Sequence, residues 1–277
     1  TMADVQADIR NIAAGPLLEY LSRLELHDIS VDGERVGRER LEQFRSLLHS
    51  WDSTMSREST GAAAYSFYFQ ALLEEAFRDE LGGALWSRER LLGDISRLQR
   101  LLSDMIKDEE SPWWDNIKTP NRVERREDIV KRALGRAVLL GTSHAGADMA
   151  SWRWGDVHTV TFRSQTFGES DLGLVRRIFN RGPISVPAGL QQVYSADWDL
   201  TDPFETVHYS SMRQIIPLAN LDESRMVHPI GQSGHPYHDH YKDLMERWQE
   251  GGYHDHHWTS EALSAADTET LRLLPTE

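Results

Sequence analysis

The hydrophobic period of this chain changes once, near residue 150, and that change limits the fold more than any other feature. Before it, apolar residues recur at three and four. Met2, Val5, Ile9 and Ile12 predict a helix that Thr1 caps, and the chain breaks at Asp32-Gly33. Leu41, Phe44, Leu48 and Trp51 mark a second helix. Ala64, Phe67, Ala71, Glu74 and Phe77 run along a third, which stops at Gly82-Gly83. Leu91, Ile95, Leu98 and Leu102 give a fourth, and Ile129, Ala133, Leu134 and Val138 a fifth that ends near Gly141. After residue 150 the pattern shortens to VHTVTF, QQVYSADW, ETVHYSSMRQIIPLA and SRMVHPI, rich in β-branched and aromatic residues. One late helix carries Tyr241, Leu244, Met245 and Trp248 on one face, and Gly251-Gly252 end it. Helices first and strands afterwards predict an α+β fold, with a helical segment over 1–150 and a strand-rich segment over 151–277. The strands are few and late for so many helices, so they read as part of a sheet whose other strands lie elsewhere.

Composition narrows the function. A chain of 277 residues is long enough for one large core or two modest ones. Its 39% hydrophobic and 27% charged residues fit a folded chain. A net charge of −14 repels a phosphate backbone, and no basic patch is present to meet an anionic membrane. No apolar run reaches bilayer length, and TMADVQADIR lacks a signal-peptide pattern. The expectation is therefore a cytoplasmic chain, or one whose targeting segment lies outside these residues. Zero cysteines exclude disulfides, thiolate metal sites and a cysteine nucleophile.

The stretch GQSGHPYHDHY, residues 231–241, concentrates the candidate chemistry. A nucleophile elbow reads G-x-S-x-G, but here the glycine after Ser233 comes one place early. A glycine-rich turn with a locally bonded hydroxyl fits Ser233 better. His235, His238, His240, His254, His256 and His257 cluster with Asp239 and Asp255, a ligand set suited to zinc or nickel. Yet H-E-x-x-H or a similarly spaced motif is missing, and histidines decorating a helix entry and exit satisfy the same pattern. Thr1 is a third candidate, because an amino-terminal threonine can act as nucleophile with its own α-amine as base. Its competing role is the cap already described.

Longer strings carry a resemblance. ASWRWGDVHTVTF, residues 150–162, resembles the W-x-W-G-x-x-H segment of the penicillin acylase family of N-terminal-nucleophile hydrolases. Residues 212–253 resemble that family's closing block, with Arg213, the GQSG turn at Gly231–Gly234, and Tyr241, Asp243 and Trp248 in its final helix. MADVQADI resembles the family's M-x-x-x-Q-x-D helix start, and WDSTMSRESTGAAAYSFYFQALLEEAF its W-D and S-x-A-A-x-x-Y helix pair. The pieces cover nearly the whole chain in order.

The resemblance implies an amide hydrolase made as a self-cutting precursor and folded as a four-layer αββα sandwich. An amino-terminal serine attacks the amide carbonyl while its α-amine takes the proton. The substrate classes implied are β-lactams with side chains, N-acyl-homoserine lactones and lipopeptides, in a periplasmic or secreted enzyme. This chain matches only the second half of the large chain, and the Ser-Asn start is not among its residues. It follows that no residue here is catalytic, that no cofactor or metal is required, and that Thr1 sits at an internal helix start. The expected partners are the small chain and the nucleophile-bearing first half of the large chain, with an acyl amide as substrate. Trp152, Trp154 and Gly155 are expected to turn the chain from helices into the sheet, with the rings in the core. His158 is expected to be a hydrogen-bonded structural residue, and Arg213 to pair with a carboxylate of a neighbouring segment. Asp52 and Ser53 are expected to end one helix and start a turn. A metal-binding module built on the carboxy-terminal histidines is the alternative.

Overall fold

The computed structural model describes residues 1–82, 95–190, 192–266 and 272–275. Helices α1 (Met2–Gln6), α2 (Gly15–Ser22) and α3 (Arg38–His49) come first, with the hairpin strands β1 (Ile29–Val31) and β2 (Glu34–Val36) between the last two. Helices α4 (Thr60–Leu81), α5 (Ile95–Met105) and α6 (Arg126–Ala145) follow. A short helix α7 (Trp154–Val157) leads into β3 (Thr159–Phe162). Then come α8 (Gly173–Phe179), β4 (Arg181–Ser185), β5 (Ala196–Asp199), β6 (Asp202–Tyr209), β7 (Arg213–Ile215) and β8 (Arg225–Val227). The described chain closes with α9 (Met245–Gln249), β9 (His254–Asp255) and α10 (Ser260–Ala265).

Helix α4 forms the axis of the larger core. Ser59 caps it, its Oγ accepting the Ala62 N–H at 3.0 Å. Every residue from Gly61 to Leu73 is buried, as are Glu75, Ala76 and Phe77. A helix enclosed on all sides needs small residues where neighbours approach, and Gly61, Ala62, Ala63, Ala64 and Ala71 supply them. Phe67 meets Trp152 edge-on at 5.3 Å and Phe204 at 5.1 Å. Each large apolar side chain buried this way contributes about 1.5–3 kcal/mol.

Helix α6 lies along α4, and charge locks the pair. The Glu75 carboxylate is buried between the Nε atoms of Arg132, at 2.6 Å, and Arg136. The outer nitrogens of the two guanidiniums reach Asp32 in the β1–β2 turn at 2.8 and 2.9 Å. One buried carboxylate thus ties α4, α6 and the hairpin together.

The strands form two larger sheets. One has the order β4-β3-β6-β5, with β3 and β6 parallel and the other pairs antiparallel. The other is antiparallel in the order β7-β8-β9. Trp198, Leu200 and Phe204 join the core of α4 and α6, together with Leu190. Val160, Phe162, Val186, Ala188, Tyr194, Ala196, Val227 and Trp248 build a second, smaller core. This mixture of helices and strands is the α+β class that the change of period predicts.

Several local expectations need correction. The first helix stops at Gln6, because Arg10 bridges Thr54 and the Asn11 N–H donates to Ser53 at 2.8 Å, which draws the chain into an extended contact. The fifth helix runs to Ala145, beyond its expected stop at Gly141. Gly141 lies under the Trp152 indole, where a Cβ would overlap the ring, so this glycine permits close approach instead of ending the helix. Gly146, at φ 92, is the actual terminator. The late helix is regular only over Met245–Gln249, and Tyr241 belongs to the preceding 3-10 turn Asp239–Tyr241. Gly83 and Leu91 lie outside the described residues, as does the start of the LRLLP run.

Candidate functional site

The stretch 231–241 folds back on itself. The Gly231 N–H donates to Tyr241 O at 3.1 Å and the Ser233 N–H to His240 O at 3.0 Å. A side chain at Gly231 would collide with the His240 carbonyl, which explains the glycine. Ser233 Oγ accepts the His235 N–H at 3.1 Å, a local turn contact and not a nucleophile–base pair. His238 caps the short turn that follows, its Nδ1 accepting the His240 N–H at 3.1 Å, and His240 Nδ1 meets Asp243 Oδ2 at 2.7 Å. His254 bonds the Asp255 carbonyl at 3.0 Å, and His256 faces the Gln214 amide at 3.3 Å. Among the described residues, no three His, Asp or Glu side chains converge as a metal site would require.

Thr1 is the expected cap. Its Oγ1 accepts the Asp4 N–H at 3.4 Å, while its ammonium and its hydroxyl donate to Asp4 Oδ2 at 2.5 and 2.7 Å. The amine, through its hydrogen bond, holds the Asp4 carboxyl below its ordinary range. Amine and hydroxyl both serve this exposed capping box.

The W-x-W-G-x-x-H string builds a junction. Trp152 and Trp154 are buried, and their indoles donate to Gly146 O at 2.9 Å and Ala188 O at 2.6 Å. Trp154 stacks on His158 at 4.5 Å. His158 is fully buried; its Nδ1 bonds Phe204 O at 2.7 Å, which leaves Nε2 to accept from Thr206 Oγ1 at 3.3 Å. Burial pushes its pKa down to about 4, so the ring is neutral near pH 7. It ties the start of β3 to β6, the hydrogen-bonded structural part expected of it. Asp52 Oδ1 accepts the Thr54 N–H at 2.8 Å, and Ser53 sits at φ 65, the expected turn.

Arg213 departs from expectation. Its guanidinium is buried, yet among the described residues no carboxylate pairs with it. It lies instead over Tyr194, Trp248 and Tyr253, 5.0 to 5.9 Å from their centroids, and donates through Nη2 to Trp248 O. Ring quadrupoles and one carbonyl replace the anion.

A polar cleft of about 460 Å³ opens beside α7, lined by Arg57, Glu58, Arg153, Asp156, Ser185 and Gln249. Arg57 pairs with Glu250 at 3.0 Å, and the Ser185 hydroxyl donates to Gly155 O at 2.6 Å. Neither is poised as base or nucleophile. Residue-by-residue reading overlooked the Glu75 lock. Its signals are the i,i+4 spacing of Arg132 and Arg136 on one helix and the Glu74-Glu75 pair within an otherwise apolar run.

The penicillin amidase family matches residues 1–265, and the chain belongs to that family. It is similar to the acyl-homoserine lactone acylase QuiP of Pseudomonas fluorescens (strain Pf0-1), 27% identical over 219 residues that make up 78% of this chain and 25% of that protein. The QuiP of Pseudomonas aeruginosa is 28% identical over 232 residues, 78% of this chain and 27% of that protein. The chain spans about a quarter of the length of the curated relatives it matches.

Proposed function

We propose that these residues are the carboxy-terminal structural part of a penicillin amidase-like amidohydrolase. The whole enzyme cleaves an acyl amide, an N-acyl-homoserine lactone or a penicillin among the candidates, through an amino-terminal serine outside this chain. The serine Oγ attacks the amide carbonyl, its own α-amine takes the proton, the substrate amine leaves, and water releases the acyl group. In this reading the strands complete an αββα sandwich begun by other segments, and the enzyme works in the periplasm or outside the cell. One observation supports it most: the family match runs over residues 1–265, while Thr1, Ser233 and His158 inside that span are engaged in a cap, a turn and a buried structural contact.

The test uses the complete acylase. Mass spectrometry should detect free homoserine lactone, or the free amine of a penicillin nucleus, and replacing the amino-terminal serine with alanine should abolish it. Turnover by the 277-residue chain alone would overturn the reading.

A further inference from the structure

The excursion between β3 and β4, residues 163–180, is held firmly but not by burial of its own apolar side chains. Asn180 clamps its ends, Oδ1 accepting the Ser164 N–H and Nδ2 donating to Gly168 O, both at 3.1 Å. The Tyr241 hydroxyl donates to Phe179 O at 2.5 Å. Arg181 stacks over Tyr241 at 4.3 Å and donates to Pro236 O at 2.8 Å, which joins the excursion to the GQSG loop. Yet α8 buries none of its residues. Leu172, Leu174 and Tyr237 are 66, 72 and 76% exposed, and Phe167 is 44% exposed. Phe167 packs on Phe179 at 4.4 Å, while Leu172, Leu174 and Tyr237 turn to solvent from a platform fixed by hydrogen bonds, the mark of a surface that another surface covers.

We infer that this platform is the seat of another segment of the same acylase. The inference rests on the acylase reading above. Two observations select that occupant. The chain spans about a quarter of its curated relatives' length, so an enzyme of their size has far more chain to pack against it. The excursion with Arg181 also carries four arginines against two carboxylates, inside a chain of net charge −14; Arg163 is paired with Glu205 and Glu169, and Arg176 and Arg177 stand exposed beside Leu172 and Leu174. A second copy would bring the same basic, apolar platform to a self-matched interface, where like charges oppose each other. A covering segment with apolar side chains and acidic flanks fits.

A cysteine-free chain makes the test clean. Leu172→Cys, Leu174→Cys and Tyr237→Cys are introduced singly into the complete acylase. Maleimide modification of each is mapped by peptide mass spectrometry and referred to the same variant unfolded in guanidinium. The inference expects all three thiols to react at least about tenfold more slowly in the folded enzyme, at every protein concentration over a broad dilution series. Reaction at the unfolded rate would overturn it, because the platform would then be free. Protection that disappears on dilution would overturn it too, because the cover would be a second copy. The acylase reading fails separately: a complete enzyme that releases no amine from any acyl amide leaves the labelling result standing.

Discussion

Helices α4 and α8 face opposite physical situations. The first is buried along almost all its length, with aromatic rings packed on several sides and a buried carboxylate locked by two arginines. The second buries nothing, and Leu174 and the capping residue Leu172 face solvent although the segment's ends are firmly tied. Burial stabilises α4 within this chain, whereas α8 is placed by hydrogen bonds from neighbouring segments. The contrast teaches that order and burial are separable: a segment can be well positioned while its apolar groups still lack a partner.

The sharpest way to break the contrast is to open the closed core. Phe67→Ala should destabilise the protein by about 4 kcal/mol, because the cavity between Trp152 and Phe204 cannot collapse fully; guanidinium unfolding measures it. A cost comparable to an exposed Leu→Ser change would refute the burial argument. Next, Glu75→Ala should cost about 3 kcal/mol by leaving the inner nitrogens of Arg132 and Arg136 without their shared buried carboxylate, with Asp32 as their one remaining anion among the described residues. Hydrogen exchange should then show the β1–β2 hairpin opening before α4.

Acid probes the same core through His158. Its folded pKa is about 4 against an ordinary 6.5, so the unfolded chain binds the extra proton between those values. Stability from this group is complete above pH 6.5 and is lost as pH falls toward 4, by about 3 kcal/mol over the whole window. His158→Gln should flatten that part of the stability curve relative to the parent. Equal slopes for the two proteins would remove the buried-histidine explanation. At the small end, Leu172→Ser and Leu174→Ser should change the stability of this chain by no more than about 0.5 kcal/mol. A larger loss would mean that α8 is packed within the chain after all.

Much of the architecture is legible in the residues. The periodic runs around Leu41, Phe67 and Val138 are helices, and VHTVTF, QQVYSADW and SRMVHPI each contain a strand. The capping of α1 by Thr1 and the burial of Trp152 and Trp154 follow from local chemistry. The hairpin β1–β2 and the strands β4 and β9 escaped notice, because each is short and weakly alternating. Arg213 shows the limit most clearly. Sequence identifies a cation bound for burial, but three aromatic rings drawn from separate segments stand where a carboxylate was expected.

By itself the sequence determined the α+β class, the helical runs, the caps and the family, since these depend on residues near one another in the chain or on ordered strings of them. Only the tertiary structure decided that Gly141 yields to Trp152, that Glu75 joins two helices to a hairpin, and that Leu172 and Leu174 find no cover within this chain. Those outcomes are set by which distant surfaces meet, and a period of three or two carries no record of the partner a face will find.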